Sequence, residues 1–167
     1  MIYALINEPC PGARNQEDVI MTNEQIKLVQ DSFKQVAPIA ETAAQLFYAR
    51  LFALDPDLEL LFKGNLSDQG RKLMEMLALA VSSLDRMEQL LPVVRSLGTR
   101  HVSYGVRDKD YDTVGQALLW TLRKGLADAF TPDVEGAWSN VYATLATAMQ
   151  SGSGTPPEAV AILAETI

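Results

Sequence analysis

The chain has 167 residues, a length that suits one domain with a substantial core. Its formal net charge of −7 comes without any Lys/Arg-rich run, so the chain would repel a nucleic-acid backbone or an anionic membrane surface, and we expect neither as a partner. No apolar run reaches the roughly 18 residues of a membrane span, and the opening residues lack the pattern of a signal peptide, so we expect a cytoplasmic protein.

Residues 1–20 are expected to form an irregular N-terminal extension, because they show no helical periodicity. They include Cys10, the only cysteine, which excludes an internal disulfide and a thiolate metal cluster. A helix start follows, since Thr22 or Asn23 can accept hydrogen bonds from the free N–H groups of a first turn. Apolar residues three and four positions apart continue this helix as far as Pro38, which ends it.

A second helix is predicted from the apolar stripe between Ala44 and Leu54, which stops before Pro56. A short turn and a loop separate it from a third helix, which we expect to begin near Ser67. One face of the third helix is apolar apart from a glutamine at its start. This face consists of Gln69, Leu73, Leu77, Ala80 or Val81, and Leu84.

A fourth helix is predicted from Leu90, Val94 and Leu97, which recur at helical spacing. The same series continues to His101, so the imidazole is expected on the apolar face of this helix. Pro92 is compatible with the helix only near its start. Gly105 and the charged residues after it break the pattern.

Two more helices complete the pattern. The fifth follows a long amphipathic stripe from Tyr111 to Leu126. The sixth begins where Thr131 supplies an N-cap and Pro132 takes the first helical position, and it stops at Ser151.

No segment alternates between apolar and polar residues, and no hairpin signal lies between β-branched runs. The sequence therefore predicts an all-α protein. We expect one domain over residues 21–151, followed by a tail over residues 152–167 whose Ser, Gly and Pro content is typical of a linker.

The acid–base chemistry available to the chain is limited, because it has one histidine and lacks the HExxH, Gly-rich phosphate and GxSxG motifs. Most hydrolytic and phosphoryl-transfer enzymes are thereby disfavoured. A haem protein needs as little as one axial side chain. His101 is consistent with either a hydrogen-bonded core histidine or an iron ligand, and the Leu97 carbonyl one turn earlier could orient the ring in both cases.

Several ordered segments resemble a known family. They are LFYARLFALDPDLELLF, LGTRHVSYGV, TVGQALLWTL and AFTPDVEGAWSNVYATLATAM. Together they are similar to the neuroglobin-like and flavohaemoglobin branch of globins, over residues 21–149. The resemblance implies a three-over-three sandwich of six to eight helices around haem b.

The resemblance also implies roles for individual residues. His101 matches the proximal iron ligand, and Phe62, six residues after Pro56, matches the phenylalanine that packs against haem. Tyr48 and Gln69 fall at the two distal positions that face a bound gas. Neuroglobins have Phe and His there, whereas flavohaemoglobins and certain bacterial single-domain globins have Tyr and Gln.

The remaining pocket residues follow from the same resemblance combined with the helix faces. Leu73 falls at the apolar position one turn after the distal residue, and Lys72 is expected to reach either a haem propionate or the iron. The other expected lining residues are Phe52, Leu77, Val94, Leu97, Val106, Tyr111, Val114 and Leu118.

The Tyr48 and Gln69 pair predicts a preference for O₂, because both side chains can donate hydrogen bonds to its partly negative outer atom, whereas CO is a poorer acceptor. Three functions remain open on sequence: reversible high-affinity O₂ binding for storage, delivery or scavenging, nitric oxide dioxygenase activity, and a haem-based gas sensor or interaction module. Expected small ligands are O₂, NO and CO. Flavohaemoglobins carry a fused reductase, so a dioxygenase of this length would require a separate one.

Overall fold

The structure is a computed structural model that describes residues 21–152, so the expected extension over residues 1–20 and almost all of the expected tail lie outside the described residues. The described part forms six α-helices and no strand, which confirms the all-α prediction. None of these helices combines the length and hydropathy needed to cross a bilayer. The helices are α1 (Asn23–Val36), α2 (Ala40–Leu54), α3 (Leu66–Ser82), α4 (Met87–Ser103), α5 (Asp108–Leu126) and α6 (Pro132–Gly152).

Short 3₁₀ segments join several of these helices. They are Ala37–Ile39, Pro56–Leu61, Leu84–Arg86 and Ala127–Ala129. The first contains Pro38, so the predicted break between α1 and α2 is observed. The second ends directly before Phe62, and it therefore sets where that side chain enters the fold.

The helix starts follow capping chemistry. Thr22 caps α1 in a reciprocal capping box with Gln25, and Pro132 opens α6. Asn65 caps α3, whose first residue therefore comes slightly before the predicted Ser67. Pro92 lies within α4, beyond its first turn, which differs from the expected position.

Each helix packs extensively against only some of the others. α2 packs against α3 and α5, and α6 packs against α1, α4 and α5. α3 and α4 are not among the helix pairs in extensive contact. α3 is held by α1 and α2, whereas α4 is held by α6.

A buried hydrogen-bond chain joins the first and last helices. The indole Nε1 of Trp138 on α6 donates to Ser32 Oγ on α1 over 2.9 Å, and Ser32 Oγ donates to the Val29 carbonyl over 3.0 Å. All three residues are buried. Because each buried donor has an acceptor, these polar groups add no unpaired donor to the core.

Two glycines allow α4 and α6 to cross at backbone distance. A Cβ added at Gly98 would lie 2.0 Å from the Met149 carbonyl oxygen, and one at Gly152 would lie 2.1 Å from the Arg95 carbonyl oxygen. The Thr99 hydroxyl also donates to the Gly152 carbonyl over 2.9 Å. Gly152 is therefore the buried end of α6, although the sequence placed it at the start of the tail.

The corner between α4 and α5 is fixed by its polar groups. Gly105 has φ +90°, a backbone conformation that favours glycine. The buried Asp110 carboxylate accepts the Arg107 backbone N–H over 2.8 Å and the guanidinium over 3.2 Å. Burial raises the pKa of Asp110, but the hydrogen bonds from Arg107 outweigh this effect and leave the pKa below its usual value.

We expect Gly98→Ala to destabilise the protein by about 3 kcal/mol or more, because the new methyl group would meet the α6 backbone rather than a flexible side chain. Gly136→Ala is the matched control, since no atom lies within 4 Å of the added Cβ. It should be neutral or stabilising by up to about 1 kcal/mol through helix propensity. Urea unfolding of both variants measures the difference. Equal stabilities would contradict the close crossing.

We expect Asp110→Asn to lower the free energy of unfolding by about 1–2 kcal/mol at pH 7, because charge-assisted hydrogen bonds to Arg107 are weakened. A carboxylate with a depressed folded-state pKa stabilises above its unfolded pKa and loses that contribution as pH falls through the folded value. The difference between wild type and variant should therefore shrink below about pH 4. Denaturant titrations of both proteins across pH 2–7 measure this pH dependence. A difference that stays constant with pH would argue against this role.

Candidate functional site

The only histidine of the chain lies near the end of α4 and is half-buried. The Nδ1 atom of His101 is 2.9 Å from the Leu97 carbonyl oxygen. A carbonyl can only accept, so this hydrogen bond requires the proton on Nδ1 and leaves the lone pair on Nε2. The orienting partner expected from the sequence is therefore present, and Nε2 is the nitrogen suited to bind a metal.

Tyr111 on α5 stacks beside this imidazole, with ring centroids 6.3 Å apart and 23° between the ring planes. Its own backbone carbonyl accepts a hydrogen bond of 2.5 Å from the Tyr142 hydroxyl on α6. The Tyr142 ring packs on Gly115, where an added Cβ would lie 2.6 Å from a ring carbon. Burial raises the pKa of Tyr142, so its hydroxyl keeps the proton that it donates.

An aromatic cluster joins the end of α2 to the segment that follows it. The Phe62 ring meets Tyr48 edge to face at 5.2 Å and Phe52 at 5.6 Å. Tyr48 and Phe52 are 5.8 Å apart, and Phe47 contacts the other edge of Tyr48 at 5.2 Å. Three of the predicted site residues, Tyr48, Phe52 and Phe62, are therefore brought together.

Tyr48 is buried, yet its hydroxyl forms no hydrogen bond with any residue that the structure describes. Burial raises the pKa of Tyr48 to about 12. The phenol therefore keeps its proton at neutral pH and has a donor available. The hydroxyl can therefore donate a hydrogen bond to a ligand without breaking one to another residue.

Gln69 lies on the first turns of α3 and is half-buried. Its Nε2 atom is placed against Gly64, where an added Cβ would lie 3.4 Å away. Within the described chain Gln69 and Tyr48 form no hydrogen bond with each other. The sequence did not single out Gly64, whose lack of a side chain leaves room for the amide.

The apolar faces of α3 and α4 are only partly covered by the rest of the chain. On α3, Leu73 and Leu77 are half-buried, and two further residues of the same face, Leu66 and Met76, are exposed. On α4, Leu97 is half-buried and Val93 is exposed. Partly exposed apolar stripes of this kind can accommodate an apolar group that covers them.

The other predicted lining residues differ in how far they are buried. Val94 and Leu118 are buried in the core, whereas Val106 and Val114 are half-buried. Leu118 lines one small apolar cavity together with Leu73, Leu77, Phe47 and Trp138. Lys72 is exposed and forms no ion pair with any described residue.

The donor set fits haem better than a metal ion bound by protein alone. The described residues contain no group of three or more His, Cys, Asp or Glu side chains that could hold a metal. His101 offers one nitrogen, so the other ligands would have to come from a cofactor. A macrocycle that supplies four nitrogens meets this requirement.

Three contributors to the site were missed in the sequence, namely Tyr142, Gly115 and Asp110. Nothing in the helical periodicity shows that the Tyr142 hydroxyl meets a carbonyl of α5. Asp110 carried a usable signal, because an acidic residue in the first turn of a helix can accept the backbone N–H of the residue that precedes the helix.

Comparison with known proteins agrees with the resemblance to globins found in the sequence. The sequence profile of the family described as Globin matches residues 45–149. The flavohemoprotein of Bacillus subtilis (strain 168) is 30% identical over 134 residues, which make up 77% of this chain and 33% of that protein. The flavohemoprotein of Bordetella parapertussis is 35% identical over 121 residues, or 68% of this chain and 30% of that protein.

The flavohemoprotein of Vibrio cholerae serotype O1 is 31% identical over 130 residues, which cover 76% of this chain and 33% of that protein. The chain thus spans about a third of the length of the curated relatives it matches. The family profile covers more than half of the chain, and the helical architecture agrees with it. The chain belongs to the globin family.

Proposed function

We propose that this globin holds haem b through His101 and binds O₂ reversibly with high affinity. The observation that carries the proposal is the hydroxyl of Tyr48, a residue of the core, which keeps its proton and has no acceptor among the described residues. An unused donor of this kind is suited to the partial negative charge that O₂ acquires on iron.

Haem would supply the iron at which the gas binds. The chain would supply its orientation, because the Nδ1 hydrogen bond to Leu97 fixes the imidazole and Tyr111 stacks beside it. Phe62 would pack against the macrocycle from its position beside Tyr48. Leu73 and Leu77 would cover the distal side and keep bulk water away from it.

Gln69 is proposed as a second donor to the gas. Its amide lies at Gly64, at the start of α3, and rotation about its side-chain torsions is the simplest route to a ligand beside Tyr48. Lys72 is proposed to reach a propionate, since its ammonium is exposed and unpaired within the described chain.

A second candidate function is nitric oxide dioxygenation, which the names of the relatives favour because they are flavohemoproteins. Reaction of the oxygenated protein with NO would give nitrate and leave ferric iron, so each turnover needs one electron from a reductase. We propose a separate protein as that reductase. Stopped-flow mixing of the oxygenated protein with NO, followed by repeated turnover with a reductase, distinguishes this function from storage.

We expect His101→Ala to lose stoichiometric haem, because no other described side chain offers an imidazole to iron. The Soret absorbance per mole of protein measures the loss, and Ser103→Ala, on the exposed side of the same helix, is the control. A variant with reduced and oxygenated spectra identical to wild type would show that another residue binds the iron. Far-UV circular dichroism establishes that the helices remain.

We expect Tyr48→Phe to raise the O₂ dissociation rate about tenfold or more, because one charge-assisted hydrogen bond is lost while the ring remains in the aromatic cluster. CO dissociation should change much less. Tyr104→Phe is the matched control, since Tyr104 is 64% exposed. Laser photolysis and stopped-flow exchange measure both gases.

An O₂ dissociation rate in Tyr48→Phe within twofold of wild type would place the phenol away from the gas. The proposal also expects ferrous protein without gas to be five-coordinate, because Tyr and Gln are weak iron ligands. A six-coordinate ferrous spectrum would therefore contradict it.

A further inference from the structure

Two adjacent helix segments of this acidic protein are free of acidic residues. Residues 42–54 of α2 and 113–126 of α5 contain no Asp or Glu, although the whole chain has a net charge of −7. The two helices pack antiparallel, since Asp55 meets Lys109 at one end. At the other end Ile39 lies beside Gly125.

Two cations on these segments share one tryptophan. The Arg50 Cζ atom lies 5.4 Å from the centroid of the Trp120 ring, and the Lys124 Nζ atom lies 5.6 Å from it. Arg50 comes from α2, whereas Trp120 and Lys124 come from α5. The three side chains therefore form a cluster across the junction of the two helices.

The donors of this cluster have no acceptors within the described chain. Neither Arg50 nor Lys124 takes part in an ion pair there, and the Trp120 indole N–H has no hydrogen-bond partner. The Arg50 Nε atom is buried and unpaired. Buried unpaired donors are rare in native proteins, and an ion that the coordinates lack is one recognised explanation.

The acidic residues next along the chain do not neutralise the cluster. Glu41 precedes the acid-free part of α2 and Asp128 follows that of α5, and neither forms an ion pair with Arg50 or Lys124. Both cations lack a counter-charge within the described chain, so an anion beside the cluster would be stabilised. The attraction for an anion is confined to the neighbourhood of this cluster, because the net charge of the whole chain is negative.

The geometry selects the kind of anion. Guanidinium nitrogens form a planar fork that matches phosphate oxygens in pairs, and an ammonium and an indole N–H can each donate to a further oxygen. The cations already occupy the Trp120 ring, so the ring is not free to stack on an aromatic ligand. A phosphate group offers enough acceptor oxygens for all three residues.

We propose that Arg50, Trp120 and Lys124 form a binding site for a phosphate group, either free phosphate or the phosphate of a larger molecule. The site lies on the outer face of α2 and α5, and it does not depend on the proposed gas-binding function. Arg50 is only two residues from Tyr48, so the site shares a helix with the aromatic cluster.

The two tryptophans of the chain allow a direct test with an internal control. Inorganic phosphate is titrated into ¹⁵N-labelled, CO-bound protein, with sodium chloride at equal ionic strength as the reference. The Trp120 indole resonance should shift and saturate below roughly 10 mM phosphate, whereas that of Trp138, whose N–H donates to Ser32, should stay in place. Calorimetry on the same samples gives the dissociation constant.

Arg50→Gln and Lys124→Gln should each weaken phosphate binding about tenfold or more, because each removes a charge-assisted contact. Arg95→Gln is the matched control, since Arg95 is an exposed cation without an ion pair in the described structure. A parallel titration with glycerol 3-phosphate distinguishes free phosphate from the phosphate of a larger molecule as the ligand of this site. Tighter binding than inorganic phosphate indicates a phosphate on a larger molecule, and equal or weaker binding indicates free phosphate.

Two results would overturn the proposal. The first is a Trp120 resonance that moves no more with phosphate than with chloride. The second is a phosphate affinity that Arg50→Gln and Lys124→Gln leave within twofold of wild type, which would assign the bound phosphate to another surface. The visible spectrum of the CO complex, recorded first, shows separately whether the haem site is intact.

Discussion

The close crossing of α4 on α6 is the constraint on which the position of His101 depends. A Cβ on Gly98 would lie 2.0 Å from the Met149 carbonyl oxygen, so the two helices meet at backbone distance. His101 follows Gly98 by about one turn of the same helix. α3 is held in a similar way by α2, where a Cβ on Gly70 would lie 2.9 Å from that of Ala44. The helix that carries His101 and the helix that carries Gln69 are therefore each placed by a close contact with a different neighbour.

The imidazole is positioned by three elements rather than one. Its own helix supplies the Leu97 carbonyl, α5 supplies the stacked Tyr111 ring, and α6 fixes Tyr111 through the Tyr142 hydroxyl. The corner between α4 and α5 is held in turn by Asp110. A displacement of α6 would therefore reach the imidazole by two routes, through Tyr111 and through α4 itself.

Periodicity and capping chemistry were sufficient for the helices and for the acceptor of His101, because both depend on residues a few positions apart. They could not reveal that the Tyr142 hydroxyl meets the carbonyl of Tyr111, since this contact joins two helices whose relative placement depends on the whole packing. The roles of Tyr48 and Gln69 came from resemblance to globins, and the structure adds the unpaired phenol. The close approach of α6 to Gly98 could likewise not be predicted from the sequence, because a glycine inside a helical pattern has many possible causes.

The proton of the Tyr48 phenol has a consequence for the pH range in which this group can donate. Burial raises the pKa of Tyr48 to about 12. The phenol therefore stays neutral around pH 7, and its hydroxyl has no acceptor among the described residues. Mild acidification or alkalinisation would leave this donor unchanged, so the strength of a hydrogen bond from it to a ligand would not vary with the charge of the phenol near neutrality.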